Sequence, residues 1–296
     1  MSAVPRVIVI GDVMTDVIVI PEGPMVRGSD RRAQIRTRPG GSGANQAVWF
    51  GAMGTRVSFV ARVGAADKPH LEAYFKGFHV DPVLIADAGR PSGMLVTIID
   101  PDGERSFLTD RGANLDLSHS DMPVWLLGDT RLVVVSGYSL FAERPRGAVQ
   151  WLAAEARRRH IPVVVDAASV GFIAEVGPQN FLDWTAGFST LFANADEAAA
   201  LSGSPELEEQ FARLCPNYGR VVIKLGQQGA VAADAVGNRA QLPAPRVEVV
   251  DTTGAGDAFA AGFLSAELTG ATLEACLARG IEAGSAAVTR IGGQPE

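Results

Sequence analysis

Cysteine is scarce in this chain: Cys215 and Cys276 are the only two in 296 residues. A disulfide-stapled secreted scaffold is thereby excluded, and a reduced compartment, the cytoplasm, is the expectation. Histidine is scarce too, and His70, His79, His119 and His160 show none of the spacings that clasp a metal ion. No apolar run reaches the ~18 residues needed to span a bilayer. The N-terminus lacks a charged region followed by an apolar stretch and a cleavage site. Basic charge is also in short supply. The formal net charge is −7, and the densest basic cluster, Arg157 to His160, closes an apparent helix, where cations suit the dipole. Neither nucleic acid nor a membrane is an expected partner. Low-complexity linkers and internal repeats are missing as well, so one domain over residues 1–296 is expected rather than two.

What the chain does have is material for a core, with 47% of its residues hydrophobic. Short β-branched runs recur at Val7–Ile10, Val57–Val63, Leu132–Ser136, Val163–Asp166, Thr190–Ala193, Val221–Lys224 and Ala230–Ala233. Most are apolar without alternation, as strands buried on both faces are. Helical patterns such as Arg144–His160 and Pro205–Leu214 fall between them. The expected fold is α/β, a mostly parallel sheet covered by helices. Two segments, about 13–38 and 92–110, are strand-like but partly polar, and the second carries the turn signal Pro101-Asp102-Gly103. They would build a small sheet outside the core, either a lid over a ligand or a surface hairpin.

Glycine marks the chemistry. "VIVIGD" ends a buried strand at Gly11, but the second and third glycines of a dinucleotide fingerprint are missing. Asp12 and Asp16 follow that strand, where open α/β sheets contact ligands; each also reads as a turn or edge acid. "PGGSGANQAVWFGAMG" (39–54) lacks the Lys-Ser/Thr of a P-loop, yet its glycines permit close approach to a ligand and Asn45 falls in the first turn of a helix starting near Ala44. "NADE" places Asn194 at a strand end and Glu197 three residues on, which is helix-capping grammar and also suits a metal-bound phosphate. In "VVIKLGQQGAVAA", Lys224 ends a strand and Gly226 and Gly229 shape a turn able to bare N–H groups. In "DTTGAGDAFAAGF" (251–263), Gly254, Ala255 and Gly256 leave N–H groups uncovered before a helix beginning at Ala258, an anion hole with the acid Asp257 beside it. An acid so placed is a weak base, which suffices where the transition state is loose and positioning dominates.

Together these stretches resemble the ribokinase (PfkB) family of small-molecule kinases. "GGSGANQA" resembles its N-terminal signature, "DTTGAGDAFAAGFL" its C-terminal one, "NADE" its Asn-x-x-Glu element, and "AAVTRIGGQP" the ribokinase tail. The resemblance implies a doubly wound ribokinase-like domain with a small β lid. It implies ATP and Mg2+ as cofactors, and K+ in some members. Asp257 would be the base, and Gly254, Ala255 and Gly256 the anion hole. Asp16, Gly41 and Asn45 would hold sugar hydroxyls. Asn194, Lys224, Gly226 and Gly229 would serve the nucleotide, with Glu197 organising Mg2+ through water. Asp251, Thr253, Ala287 and Gly292 match the monovalent-cation site. Some relatives pair through their lids, so a homodimer of that kind rests on the resemblance alone.

The departures concern the acceptor. Met14 stands where ribokinases carry Asn, and "VVVSGYSLF" lacks their sugar-binding Glu. Arg105 and Arg111 flank the second lid segment and offer a bidentate partner for a carboxylate, as in 2-keto-3-deoxygluconate kinases; solvated hairpin arginines are the alternative. Glu296 stands where ribokinases place a cation-site Ser, which leaves potassium dependence open. The expectation is an ATP-dependent kinase of a sugar or sugar acid. A nucleoside kinase is the runner-up, disfavoured because the lid segments offer mainly Phe107 for stacking. A non-catalytic sensor on the same fold is the third reading.

Overall fold

The computed structural model describes residues 6–99 and 105–295; the turn expected at residues 101–103 lies outside them. In chain order the elements are β1 (Arg6–Ile10), β2 (Met14–Pro21), β3 (Ala33–Gly40), α1 (Ser42–Ala52), β4 (Arg56–Gly64), α2 (Lys68–Gly77), β5 (Val80–Asp87), β6 (Gly93–Ile99) and β7 (Arg105–Asp110). Then come β8 (Thr130–Ser136), α3 (Glu143–Arg158), β9 (Val163–Asp166), α4 (Val170–Val176), α5 (Pro178–Trp184), β10 (Thr190–Asn194), α6 (Ala195–Ser202) and α7 (Leu207–Tyr218). The last are β11 (Arg220–Lys224), β12 (Ala230–Asp234), β13 (Arg239–Leu242), α8 (Ala255–Leu268) and α9 (Leu273–Val288).

Nine strands form the main sheet in the order β13-β12-β11-β10-β9-β8-β1-β4-β5. Neighbours from β5 to β11 run parallel, and β12 and β13 are added antiparallel at one edge. Side chains of β1 alternate between two cores. Val7 and Val9 pack with α1, α8 and α9, whereas Ile8 and Ile10 pack with α3 and residues of α4–α7. Both faces are therefore covered, which is why the strand sequences read as unbroken apolar runs. Two strands escape that reading: β5 contains Asp81 and Pro82 within its run, and β13 is only four residues long, two of them polar. Edge positions tolerate such sequences because one side of the strand needs no ladder partner.

The order reverses at β1. The chain builds outward to β4 and β5, then returns to the other side of β1 for β8. At this switch point the carboxyl ends of parallel strands part and leave a crevice. A second sheet, β3-β2-β6-β7, springs from the same place. Met14 at the base of β2 pairs with Gly40 of β3 and Gly93 of β6, so the small sheet is anchored at the crevice and extends away from it. The strands of this sheet fall within the segments expected at 13–38 and 92–110, with β3 continuing to Gly40. Among the described residues no helix is long and apolar enough to cross a membrane.

Helix α1 is drawn hard against the end of β1. A Cβ on Gly43 would lie 2.5 Å from the Gly11 Cα and 2.9 Å from the Asp12 nitrogen. No side chain fits between these backbones, and the close approach sets where the first turn of α1 points. Gly43→Ala is expected to lower the unfolding free energy by about 1–3 kcal/mol through that overlap, measured by urea denaturation with an unchanged m value.

Candidate active site

Helix α8 begins at Ala255 rather than at Ala258, so Ala255, Gly256 and Asp257 make up its first turn. First-turn N–H groups have no acceptor inside their own helix, and that of Ala255 donates to the Thr252 carbonyl at 3.3 Å. Gly254 caps the helix in the left-handed region at φ 71°, and a Cβ there would fall 2.3 Å from the Cα of Gly293. Conformation and crowding both demand glycine at this position.

The Asp257 carboxylate is held from one side by α1. Ser42 Oγ donates to it at 2.7 Å, Asn45 Nδ2 at 3.0 Å and Gln46 Nε2 at 3.2 Å. Residues at i, i+3 and i+4 share one helix face, so a single turn of α1 aims all three donors. Burial of the carboxyl, with the negative Asp166 nearby, pushes it up to about 7, while the Ser42 and Asn45 hydrogen bonds pull the other way. Asn45 is itself held: Gln294 Nε2 donates to its Oδ1 at 3.0 Å, and the Tyr74 hydroxyl donates to Gln294 Oε1. Trp49 Nε1 donates to the Gly293 carbonyl at 2.9 Å. Residues 291–294 thus form a strap over α1, and Arg38 of β3 donates to the Ile291 carbonyl at its near end.

At the base of the small sheet, Asp16 lies on β2 with its carboxylate in space left by Gly40, where a Cβ would fall 2.2 Å from Oδ2. Asp16 Oδ1 is buried with no hydrogen-bond partner. Burial, with Asp12 and Asp251 as negative neighbours, raises its carboxyl to about 7. Asp12 accepts from Gly43 N at 3.2 Å and Ser136 Oγ at 3.1 Å, joining the ends of β1 and β8. Gly41 precedes α1, with Asn45 N donating to its carbonyl at 2.8 Å. Arg111 is neither on the hairpin nor solvated. It stands in the turn after β7, 3.8 Å from the Asp12 carboxylate and over the Tyr138 ring.

On the other side of Asp257 a cavity of about 760 Å³ is lined by Lys224, Gly226, Gly229, Ala255, Gly256 and Phe259, among others. Lys224 Nζ donates to both oxygens of Asp166 at 2.8 and 3.0 Å. It reaches the first turn of α8, since a Cβ on Gly256 would lie 2.9 Å from it. Asn194 and Glu197 form a complete capping box, each side chain meeting the other's backbone N–H at 2.8 Å. Asn194 does not line the cavity. Burial raises the Glu197 carboxyl, against the pull of Lys224.

Asp251 accepts from Thr253 N at 3.0 Å, Thr253 Oγ1 at 2.8 Å and Gly292 N at 3.0 Å. The Ala287 carbonyl accepts from Thr289 and Arg290 N–H groups at the end of α9. The candidate cation residues Asp251, Thr253 and Gly292 are therefore brought together, with their polar atoms joined to one another. No group of three or more His, Cys, Asp or Glu suited to a metal occurs among the described residues.

The Asp257 carboxyl, near neutrality in the first turn of a helix, thus stands between the buried Asp16 and a glycine-edged cavity. The chain belongs to the pfkB family of carbohydrate kinases, whose profile matches residues 4–296. It is 31% identical to the ribokinase of Arabidopsis thaliana, over 92% of this chain and 73% of that protein. It is 30% identical to the aminoimidazole riboside kinase of Salmonella typhimurium, over 89% of this chain and 81% of that one. The structure of Arabidopsis thaliana ribokinase complexed with ribose and ATP superposes with a TM-score of 0.82 at 26% identity, covering 99% of this chain and 96% of that chain.

Sequence reasoning missed Ser42, Gln46, Asp166 and Gln294 around Asp257 and Lys224. Ser42 and Gln46 were readable from their spacing about Asn45; Asp166 was readable as a charge ending an apolar strand. Nothing local marks Gln294. Because hydrogen bonds to a carboxylate favour its charged form, Ser42→Ala is expected to raise the Asp257 carboxyl further above its native value near 7. Carbon-detected NMR titration of the side-chain carboxyls measures the shift.

Proposed function

We propose that the chain transfers the γ-phosphoryl group of ATP to a primary hydroxyl of a sugar or sugar derivative, with Asp257 as the base. The observation that carries this reading is the pairing of Asp257, poised near neutrality, with the unpartnered buried oxygen of Asp16. An orphaned carboxylate oxygen is costly unless a ligand supplies a donor, and a sugar hydroxyl is such a donor. Asp16, Gly41 and Asn45 hold the hydroxylated ring, and the hydroxyl to be phosphorylated faces Asp257. The N–H groups of Ala255 and Gly256, following Gly254, receive the migrating phosphoryl group with the positive end of the α8 dipole. Lys224 carries positive charge to the same turn and, with Gly226 and Gly229, edges the nucleotide cavity. Asn194 acts through its cap, by fixing Glu197.

Magnesium fits the carboxylates present: Mg2+ takes one or two carboxylates, waters and substrate phosphates, and Glu197, in the first turn of α6, is near enough to Asp166 at the end of β9 to feel its charge. When bound it would neutralise phosphate charge. Potassium fits less well, because Asp251 and Ala287 already spend oxygen atoms on backbone N–H groups, and no step here requires it. The small sheet acts as the lid, its rim held to the strap through Arg38. Exposed Ile35, Phe107 and Leu108 on that sheet support pairing of two copies through their lids.

Asp257→Asn is expected to lower ADP release by about 10²–10⁴-fold, the usual worth of a positioned base, while ATP binding persists by calorimetry. Unchanged turnover refutes the base assignment; tight acceptor binding without turnover in the native chain favours a sensor. A base must be ionised, and both Asp257 and Asp16 carry values raised to about 7. The catalytic efficiency should therefore fall as pH drops through about 7, more steeply than for one proton, and reach a plateau above it. The assay, run with and without potassium, reports its requirement directly.

A further inference from the structure

The Asp257 carboxylate has about two lone pairs on each oxygen, and the donors of α1 divide unequally between them. Ser42 Oγ and Gln46 Nε2 both reach Oδ1, at 2.7 and 3.2 Å. The third donor, Asn45 Nδ2, reaches Oδ2 at 3.0 Å. Oδ1 is thereby fully engaged by α1, while Oδ2 keeps a lone pair for another partner. On the kinase reading above, Oδ2 is the atom that takes the acceptor proton as the hydroxyl oxygen bonds to the γ-phosphorus and the bond to the ADP oxygen breaks. Asn45 is then the α1 side chain that holds the reacting oxygen.

What holds Asn45 comes from far along the chain. Gly293, its carbonyl pinned by Trp49, packs so closely on the Asn45 amide that a Cβ there would fall 2.5 Å from Nδ2 and 3.0 Å from Cγ. Such crowding restricts the swing of the amide, and the freedom that remains is a half-turn exchanging its oxygen and nitrogen. An ionised carboxylate only accepts, so Asn45 must offer its nitrogen to Oδ2 and turn its oxygen away. Gln294 Nε2 donates to that oxygen at 3.0 Å. The Oε1 of Gln294 then needs a donor of its own, and the Tyr74 hydroxyl on α2 supplies it. Burial pushes that hydroxyl up to about 12, so it stays protonated and able to donate. The four side chains form one chain with a single direction, from Tyr74 through Gln294 and Asn45 to Asp257. Reversing either amide would set oxygen against oxygen.

We infer that Gln294 and Tyr74 are positioning residues for the phosphoryl transfer, acting in series through Asn45 to keep an amide nitrogen on the reacting oxygen of Asp257. The inference rests on the kinase reading and adds two residues that stand outside the glycine motifs.

The test uses the full chain carrying Gln294→Leu, Tyr74→Phe or both. Both positions are half-buried, so the fold should persist, as circular dichroism checks. Losing a fixed donor favours the protonated carboxyl, so Asp257 should ionise only at higher pH. Activity is read by ADP release with whichever of ribose, fructose and adenosine turns over fastest. In Gln294→Leu the acid limb of kcat/KM should move up by about half a unit to one unit, the worth of one hydrogen bond. The kcat should fall several-fold while the KM for ATP holds. Tyr74→Phe should shift the limb the same way by less. The double variant should match Gln294→Leu alone, because a serial chain is broken only once.

Asp166 on β9, Lys224 on β11 and Tyr138 after β8 also bear on Asp257, and these substitutions leave all three in place. Asp16 titrates in the same range, so carbon-detected NMR of the side-chain carboxyls assigns the shift to Asp257. An Asp257 titration unmoved by Gln294→Leu, or additive shifts in the double variant, overturns the inference and leaves the kinase reading intact. If the native chain releases no ADP with any of the three compounds, the kinase reading fails instead. The NMR titration then decides the coupling by itself: a raised Asp257 upholds it, and an unmoved one overturns it.

Discussion

Everything in the candidate site is arranged around one enclosed carboxylate. Asp257 sits where the N-termini of α1 and α8 meet, and its ionised form is favoured there by donors from one turn of α1 and by the charge of Lys224. That contact fixes the rest. Helix α1 must press against β1, which requires the bare backbones of Gly11 and Gly43. Helix α8 must start at a left-handed glycine, and the strap must close over both so that Gln294 turns the amide of Asn45 toward the acid. Loss of any support leaves a charge in a poorly solvated place with fewer partners, the situation buried polar networks tolerate least.

The balance of charge along the sheet edge follows the same logic. Asp12, Asp166, Glu197 and Asp257 gather within a short distance of the crevice, and Lys224 answers mainly Asp166. Negative charge thus remains in excess. On the proposed reading, polyanionic phosphates can be accommodated there only with added cations.

Much of this was legible in the sequence. Buried parallel strands announce themselves as apolar runs, so seven of the nine main strands could be read directly, whereas β5 and β13 could not because edge strands escape the constraint that makes the others apolar. The glycine clusters were legible because close approach and positive φ leave few substitutes. Asp257 and Asp16 were legible through the motifs around them. Distant partnerships were not: Gln294 reaches Asn45 across 249 positions. For Arg111 a sequence shows the charge and not the Asp12 carboxylate 3.8 Å away.

The orphaned oxygen of Asp16 carries a thermodynamic consequence. With its carboxyl near neutrality, a proton and an acceptor hydroxyl contend for the same atom. On the proposed reading, a hydroxyl that donates to Asp16 drives its proton off, and lowering the pH drives the acceptor off. Affinity for the acceptor is then linked to proton release, and the heat of binding depends on the buffer that takes up the proton.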